Sequence, residues 1–160
     1  MQPETILLDI YSGTGSIGLS LASKVKKLIG IEIVEDAVLD ARKNASENGI
    51  SNAEFVCGKA EEALAQVLKQ IETGQTPLAI VDPPRSGLHH NAVKLIRGCS
   101  SINHLVYVSC NQNSMVNDVI GFCKASSNKF PGQPFEPKYV LSVDMFPHTE
   151  HCEAIMLLTR

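Results

Sequence analysis

Short apolar runs alternate along this chain with longer stretches whose apolar positions recur every three or four residues. That is the pattern of strands interleaved with helices. Strands are predicted at Ile6–Ile10, Lys27–Ile33, Ala53–Cys57, Leu78–Val81 and His104–Ser109. Helices are predicted between them, at about Ser16–Ser23, Glu35–Asn48, Ala60–Thr73, Asn91–Cys99 and Ser114–Lys124. The second helix carries Ala37, Val38, Ala41 and Ala45 on one face and is closed by Asn48-Gly49. Thr73-Gly74 ends the third helix, and Pro83-Pro84 stops the fourth strand. A polar loop with Gly132, Pro131, Pro134 and Pro137 leads to two last strands, Tyr139–Val143 and Ala154–Thr159, joined by a His-rich loop.

Strand–helix alternation implies an α/β fold with a mostly parallel, doubly wound sheet. No helix separates the last two strands, so they are expected to form an antiparallel hairpin at one edge of a seven-stranded sheet. There is no internal repeat, and residues 1–160 are expected to form one domain.

Composition narrows the class. The chain is 44% hydrophobic and 19% charged, with a net charge of −3, which is ordinary for a soluble globular protein and carries no global basic signature. Any nucleic-acid binding must then rest on a local patch or on another domain. Five cysteines in an unpatterned arrangement suit a reducing compartment better than a disulfide framework. No signal-peptide pattern and no membrane-spanning run appears. An intracellular monomer without membrane association is expected, its protein partners unspecified. A strand and its glycine loop come within ten residues of the first residue, which reads as a domain taken from a longer protein.

The candidate chemistry lies at the predicted strand ends. Asp9-Ile-Tyr11-Ser-Gly13-Thr-Gly15-Ser16-Ile-Gly18 follows the first strand and opens a helix, so its glycines permit tight turning and close approach to a ligand. The spacing formally fits a dinucleotide loop. Asp9, however, sets a carboxylate beside it, which suits an ammonium group and repels a pyrophosphate. Glu32 ends the second strand, where an acid accepts ribose hydroxyls from either kind of cofactor. Glu54 to Glu61 ends the third strand, near where an adenine would lie in such a fold, and reads equally as a plain turn. Asp82-Pro83-Pro84-Arg85 is a rigid turn holding an acid at the sheet tip, with an arginine able to pair with phosphate. Cys110, in Val108-Ser109-Cys110-Asn111, sits at the tip of the fifth strand as a candidate nucleophile. Glu153, just before the last apolar run, is a candidate general base. His148, His151 and Cys152 are possible zinc ligands, but their spacing matches no standard set, and no metal is expected.

Taken in order, Asp9…Gly13-Thr-Gly15, Glu32, Asp82-Pro-Pro-Arg85, Val108-Ser-Cys110-Asn111 and Phe146-Pro-His148-Thr…His151-Cys-Glu153 resemble the RNA uracil-5-methyltransferase family over nearly the whole chain. The resemblance implies a Rossmann-like S-adenosylmethionine-dependent methyltransferase catalytic domain. By it, Cys110 adds to carbon 6 of uracil and Glu153 removes the carbon-5 proton. Asp9, Tyr11, Gly13, Gly15, Ser16, Glu32 and Asp82 line S-adenosyl-L-methionine, while Arg85, Asn111 and His148 contact substrate. The RNA implied is tRNA, at a T-loop uridine, and the compartment nucleus or cytosol, with the mitochondrion as alternative. Two departures stand out: Gln112 where the family usually has proline, and Ser12 where cysteine is common. The family's N-terminal RNA-binding and central regions are absent from these 160 residues, so an isolated domain of low activity is expected. The competing readings are a silent RNA-binding or scaffolding module, a ribosomal RNA uridine enzyme, or a cytosine-5 enzyme. The last would place its cysteine in the turn after strand four, where this chain has Pro83-Pro84.

Overall fold

The computed structural model describes residues 4–71 and 75–160. Its elements run β1 (Thr5–Ile10), α1 (Ser16–Leu21), β2 (Lys27–Glu32), α2 (Glu35–Glu47), β3 (Ala53–Cys57), α3 (Ala60–Lys69) and β4 (Thr76–Val81). They continue with α4 (His90–Gly98), β5 (His104–Ser109), α5 (Gln112–Cys123), β6 (Glu136–Val143) and β7 (Glu153–Thr159). One sheet of seven strands has the order β3-β2-β1-β4-β5-β7-β6. The five strands β1 to β5 are parallel, and β7 runs antiparallel to both β5 and β6.

The sheet is doubly wound because each central strand is apolar on both faces. Every residue of β1 is buried. Ile6, Leu8 and Ile10 pack with α3, α4 and α5 on one face, while Leu7 packs with α2 on the other. The chain moves from β1 outward to β3 and then returns to β4 beside β1. The loops after β1 and β4 therefore diverge to opposite faces and leave a crevice at their carboxyl ends, the usual ligand position in such sheets.

Several element ends differ from the sequence expectation. α5 starts at Gln112, not Ser114, because Asn111 caps it by accepting from the Asn113 N–H at 3.1 Å. α1 is short and passes into a 3₁₀ turn at Ala22–Lys24. α3 ends at Lys69, and the Thr73-Gly74 stop lies outside the described residues. β6 extends back to Glu136, through Pro137. An edge strand with a bulge between Pro137 and Tyr139 tolerates the missing N–H. All eight β6 residues are exposed, Tyr139 by 71% and Leu141 by 64%.

The far side of the domain is held by two arginines. Arg97, fully buried on α4, donates to six carbonyl oxygens, those of Gly121, Phe122, Lys124, Phe130, Pro131 and Gly132. It thereby folds the connection from α5 to β6 against α4. Arg160 does the same from the end of the chain, donating to the carbonyls of Ile96, Arg97, Cys99, Ile102 and Gln133. Gly132 has φ +77°, and a Cβ there would overlap the Arg97 carbonyl. Gly132→Ala is expected to cost more than about 2 kcal/mol in urea denaturation, from strain and overlap together. Arg97→Met, which strands the carbonyls, is expected to cost about 3 kcal/mol or more.

Candidate functional site

The sequence-predicted residues converge on the carboxyl edge of the parallel strands. Asp9 is next to last in β1, Glu32 is last in β2, Asp82 follows β4, and Cys110 follows β5. Glu153 reaches the same edge by opposite polarity, as the first residue of antiparallel β7. Ser109 pairs with Ala154, so the register sets Cys110, one residue on, opposite Glu153, one residue back.

The glycine loop is shaped from below. Gly13 (φ +53°) and Gly15 (φ +83°) are left-handed, as is Tyr11 (φ +67°), an uncommon conformation for a side chain of that size. Tyr11 and Ser12 donate their N–H groups to the Ile31 carbonyl at 2.9 and 3.0 Å, which bends the loop over β2. Glu32 braces it: Oε2 accepts from Gly13 N–H at 3.0 Å, and Oε1 accepts from Ile33 and Val34 N–H at 2.8 and 2.9 Å. The carboxylate thus orders two loops, and its remaining lone pairs are free for a diol.

Asp9 is 1% exposed, and its Oδ2 accepts from Gly18 N–H at 2.9 Å. Gly18 is required here, since a Cβ would stand 2.6 Å from that oxygen. Asp9 Oδ1 and Ser12 Oγ are buried with no partner among the described residues. Burial pushes the Asp9 carboxyl up to about 6, the Gly18 N–H holds it down in part, and the nearby Asp82 charge raises it again. Asp82 is itself raised by burial, and Glu153 is raised by burial and then by Asp82. Asp82 thus acts on both Asp9 and Glu153, an arrangement that favours a cation among them.

Two hollows flank this cluster. One, of about 180 Å³, is lined by Tyr11, Ile31, Ile33, Gly58, Lys59, Ala60 and Glu61, and presents apolar walls to a planar ring. The other, of about 300 Å³, is lined by Arg85, Cys110, Asn111, Gln112, Asn113, Phe146 and His151. Cys110 is partly exposed in it. Larger hollows of about 360 and 410 Å³ lie at the opposite edge, around Thr76 and around Lys27, away from these acids and from Cys110.

The structure adds contacts that the sequence did not show. Asn111 is occupied: besides capping α5 it donates through Nδ2 to the Arg85 carbonyl at 2.9 Å. His151 lines the Cys110 hollow, whereas His148 is exposed at the loop turn with φ +65° and does not line it. Gln112 donates to the Cys152 carbonyl at 2.7 Å, tying the nucleophile turn to the residue before Glu153. Asp118 carried no motif at all. Its Oδ2 accepts from Tyr107 O–H at 2.6 Å and from Leu88 N–H at 2.7 Å. No group of three or more His, Cys, Asp or Glu poised for a metal is present among the described residues.

The fold is that of the Rossmann-like, S-adenosylmethionine-dependent methyltransferases. It aligns with the Pyrococcus abyssi tRNA (uracil-54, C5)-methyltransferase, crystallised with S-adenosyl-L-homocysteine, at a TM-score of 0.74 and 31% identity, over 96% of this chain and 33% of that one. The chain belongs to the tRNA (uracil-5-)-methyltransferase family, whose sequence model matches residues 2–160. It is 44% identical to tRNA (uracil-5-)-methyltransferase homolog A of Mus musculus, over 96% of this chain and 25% of that protein. It is 47% identical to homolog B of Pongo abelii, over 98% of this chain and 33% of that protein. The chain thus spans a quarter to a third of the length of these relatives.

The raised Asp9 carboxyl sets a pH dependence. The folded state binds this proton more tightly than the unfolded chain, whose ordinary value is 3.8. Ionised Asp9 therefore costs stability above about pH 6, and the cost is relieved as pH falls from 6 toward 4. Asp9→Asn is expected to stabilise the domain by about 3 kcal/mol at neutral pH and to have little effect near pH 4. Urea melts of both proteins across that range measure it.

Proposed function

We propose that this domain methylates carbon 5 of a uridine in tRNA, using S-adenosyl-L-methionine and a covalent link between Cys110 and the base. The observation that carries the reading is the β5–β7 register, which ends with Ser109 on Ala154 and so brings the adjoining Cys110 and Glu153 to the edge where Asp9, Glu32 and Asp82 gather. The names of the relatives supply the substrate class.

The residues present fit the cofactor. Asp9 has an unpartnered buried oxygen close to the glycine loop, suited to the ammonium of a methionine moiety, with Asp82 adding negative charge nearby. Glu32 retains lone pairs for the ribose hydroxyls, and the hollow beside Tyr11 and Gly58 suits the adenine. Gly13, Gly15 and Ser16 keep the loop low enough for close approach. When bound, the cofactor supplies an electrophilic methyl group on a sulfonium.

The protein's own groups do the rest. Carbon 5 of uracil is a weak nucleophile until a neighbour adds to the ring. The Cys110 thiolate forms a bond to carbon 6, and the electron pair displaced makes carbon 5 enolate-like. With the cofactor held by Asp9, Glu32 and the glycine loop, carbon 5 would accept its methyl group, the sulfonium sulfur keeping the bonding pair. Glu153 takes the proton from carbon 5, the sulfur–carbon 6 bond breaks, and the thiolate returns. Burial first, and then Asp82, raise the Glu153 carboxyl, which makes it a stronger base than an ordinary glutamate. Arg85, at the mouth of the Cys110 hollow, pairs with an RNA phosphate.

Trapping tests this. With 5-fluorouridine tRNA and S-adenosylmethionine, the fluorine cannot leave as a proton, so a denaturation-resistant protein–RNA complex is expected. Cys110→Ala should form none. Glu153→Gln should transfer methyl to ordinary tRNA and then accumulate the adduct, with turnover lowered about 100-fold or more. No complex with the unaltered protein, or one that survives Cys110→Ala, refutes the mechanism.

A further inference from the structure

Arg85 is exposed, has no ion pair among the described residues, and is the one side chain of fixed charge lining the Cys110 hollow. A guanidinium on an exposed loop orients a phosphate only if the loop itself is fixed. Two side chains of the β5–α5 unit fix it. Asn111 Nδ2 donates to the Arg85 carbonyl at 2.9 Å, and Asp118 Oδ2 accepts from Leu88 N–H at 2.7 Å. Between these anchors the chain makes a tight turn, Gly87 N–H donating to the Pro84 carbonyl at 2.8 Å. Gly87 has φ +83°, and a Cβ there would stand 2.7 Å from Asp118 Oδ2, so the loop sits this close because that position has no side chain.

Asp118 is in turn aimed by Tyr107, whose O–H donates to the same oxygen at 2.6 Å. Tyr107 is fully buried in β5 and paired with Met156. One carboxylate oxygen thus joins β5, α5 and the 83–88 loop. Cys110 rides on the same β5–α5 unit, its turn closed by Ser109 Oγ donating to the Asn111 carbonyl at 2.9 Å. Loop and nucleophile are therefore parts of one braced body.

We propose that Asp118 is a positioning residue, which through Leu88 holds Arg85 against an RNA phosphate while Cys110 faces the base. The proposal rests on the reading of this domain as an RNA uracil methyltransferase.

The test has two arms. The first needs no RNA. Trypsin cleaves after Arg85, and Asp118→Ala is expected to speed that cleavage at least about fivefold, with other sites unchanged. Gly87→Ala, which pushes on the same oxygen, should do likewise. Asp118→Asn keeps an acceptor oxygen and should stay within about twofold of the unaltered protein. Unchanged cleavage at Arg85 in both Asp118→Ala and Gly87→Ala overturns the proposal. Should Asp118→Ala not fold, the Gly87→Ala and Asp118→Asn pair decides.

The second arm is a double-mutant cycle on binding of an unmodified tRNA transcript. Arg85→Ala and Asp118→Ala should each weaken binding about tenfold, and the pair together no more than Arg85→Ala alone. Affinity for S-adenosylmethionine should stay within about twofold throughout. A merely structural Asp118 would give additive losses or an equal loss of cofactor affinity, and either refutes the proposal. If the unaltered protein forms no fluorouridine adduct yet the cycle is non-additive, the methyl-transfer reading fails and the role of Asp118 stands. If the adduct forms and the cycle is additive, Asp118 alone fails.

Discussion

The direction of the strands governs everything at this site. Five parallel strands deliver their carboxyl ends to one edge, so residues from distant parts of the chain meet there without long side chains. β7 is the exception that completes the set. Because it runs antiparallel beside β5, its first residue lies where the others have their last. A parallel β7 would carry Glu153 to the opposite edge, roughly 20 Å away at about 3.3 Å per residue. A carboxylate that far from Cys110 could take no proton from a base bound to it. The hairpin at the sheet edge is thus what brings Glu153 to the edge that carries Cys110.

Charge is divided across the crevice in a matching way. On the side of β1 and β4, Asp82 raises both Asp9 and Glu153, and Asp9 keeps one oxygen with no hydrogen bond among the described residues. On the side of Cys110, no carboxylate lines the hollow and Arg85 stands free of ion pairs among the described residues. A ligand carrying an ammonium and a sulfonium relieves the first half, and a polyanion is attracted by the second. The net charge of −3 is no obstacle to RNA at such a site, because the sign that matters is local.

Much of this was legible because it is written in local pattern. Alternating apolar runs gave the layering, and the missing helix between Tyr139–Val143 and Ala154–Thr159 gave the antiparallel edge. An acid directly after the fourth apolar run and another directly before the last one indicated where Asp82 and Glu153 would lie. What stayed hidden depends on non-local contacts. Asp118 sits inside a helix with no motif around it, and its meaning appears only when Tyr107 and Leu88 arrive from other elements. Arg97 stands in a helix with no motif around it, and it is fully buried under carbonyls of residues 121–132. The helix cap and the loop bond that Asn111 makes were likewise not legible, because their partners are set by the fold. The start of α5 was placed late because its apolar period begins at Met115, whereas the cap acts earlier.

The two walls of the Cys110 hollow are built on different principles. The Arg85 wall is tied to a buried tyrosine through Asp118, so displacing it means breaking bonds that reach the core. The wall with Phe146 and His151 is held by short-range bonds, such as Thr149 Oγ1 to the Phe146 carbonyl and His151 N–H to Thr149 Oγ1. Its side-chain link to the nucleophile turn is Gln112 on Cys152. The reaction proposed needs one wall fixed, because in it the thiol would have to meet carbon 6 at a set angle. Admission of a large substrate needs the other to yield at small cost, and exposed local bonds are the ones that yield. Glu153 lies at the seam between them. It is anchored by the β7 ladder to Val143 on one side and adjoins the Gln112-bonded Cys152 on the other. In the reaction proposed, Glu153 can therefore keep its place at the end of β7 while the loop before it makes room for RNA.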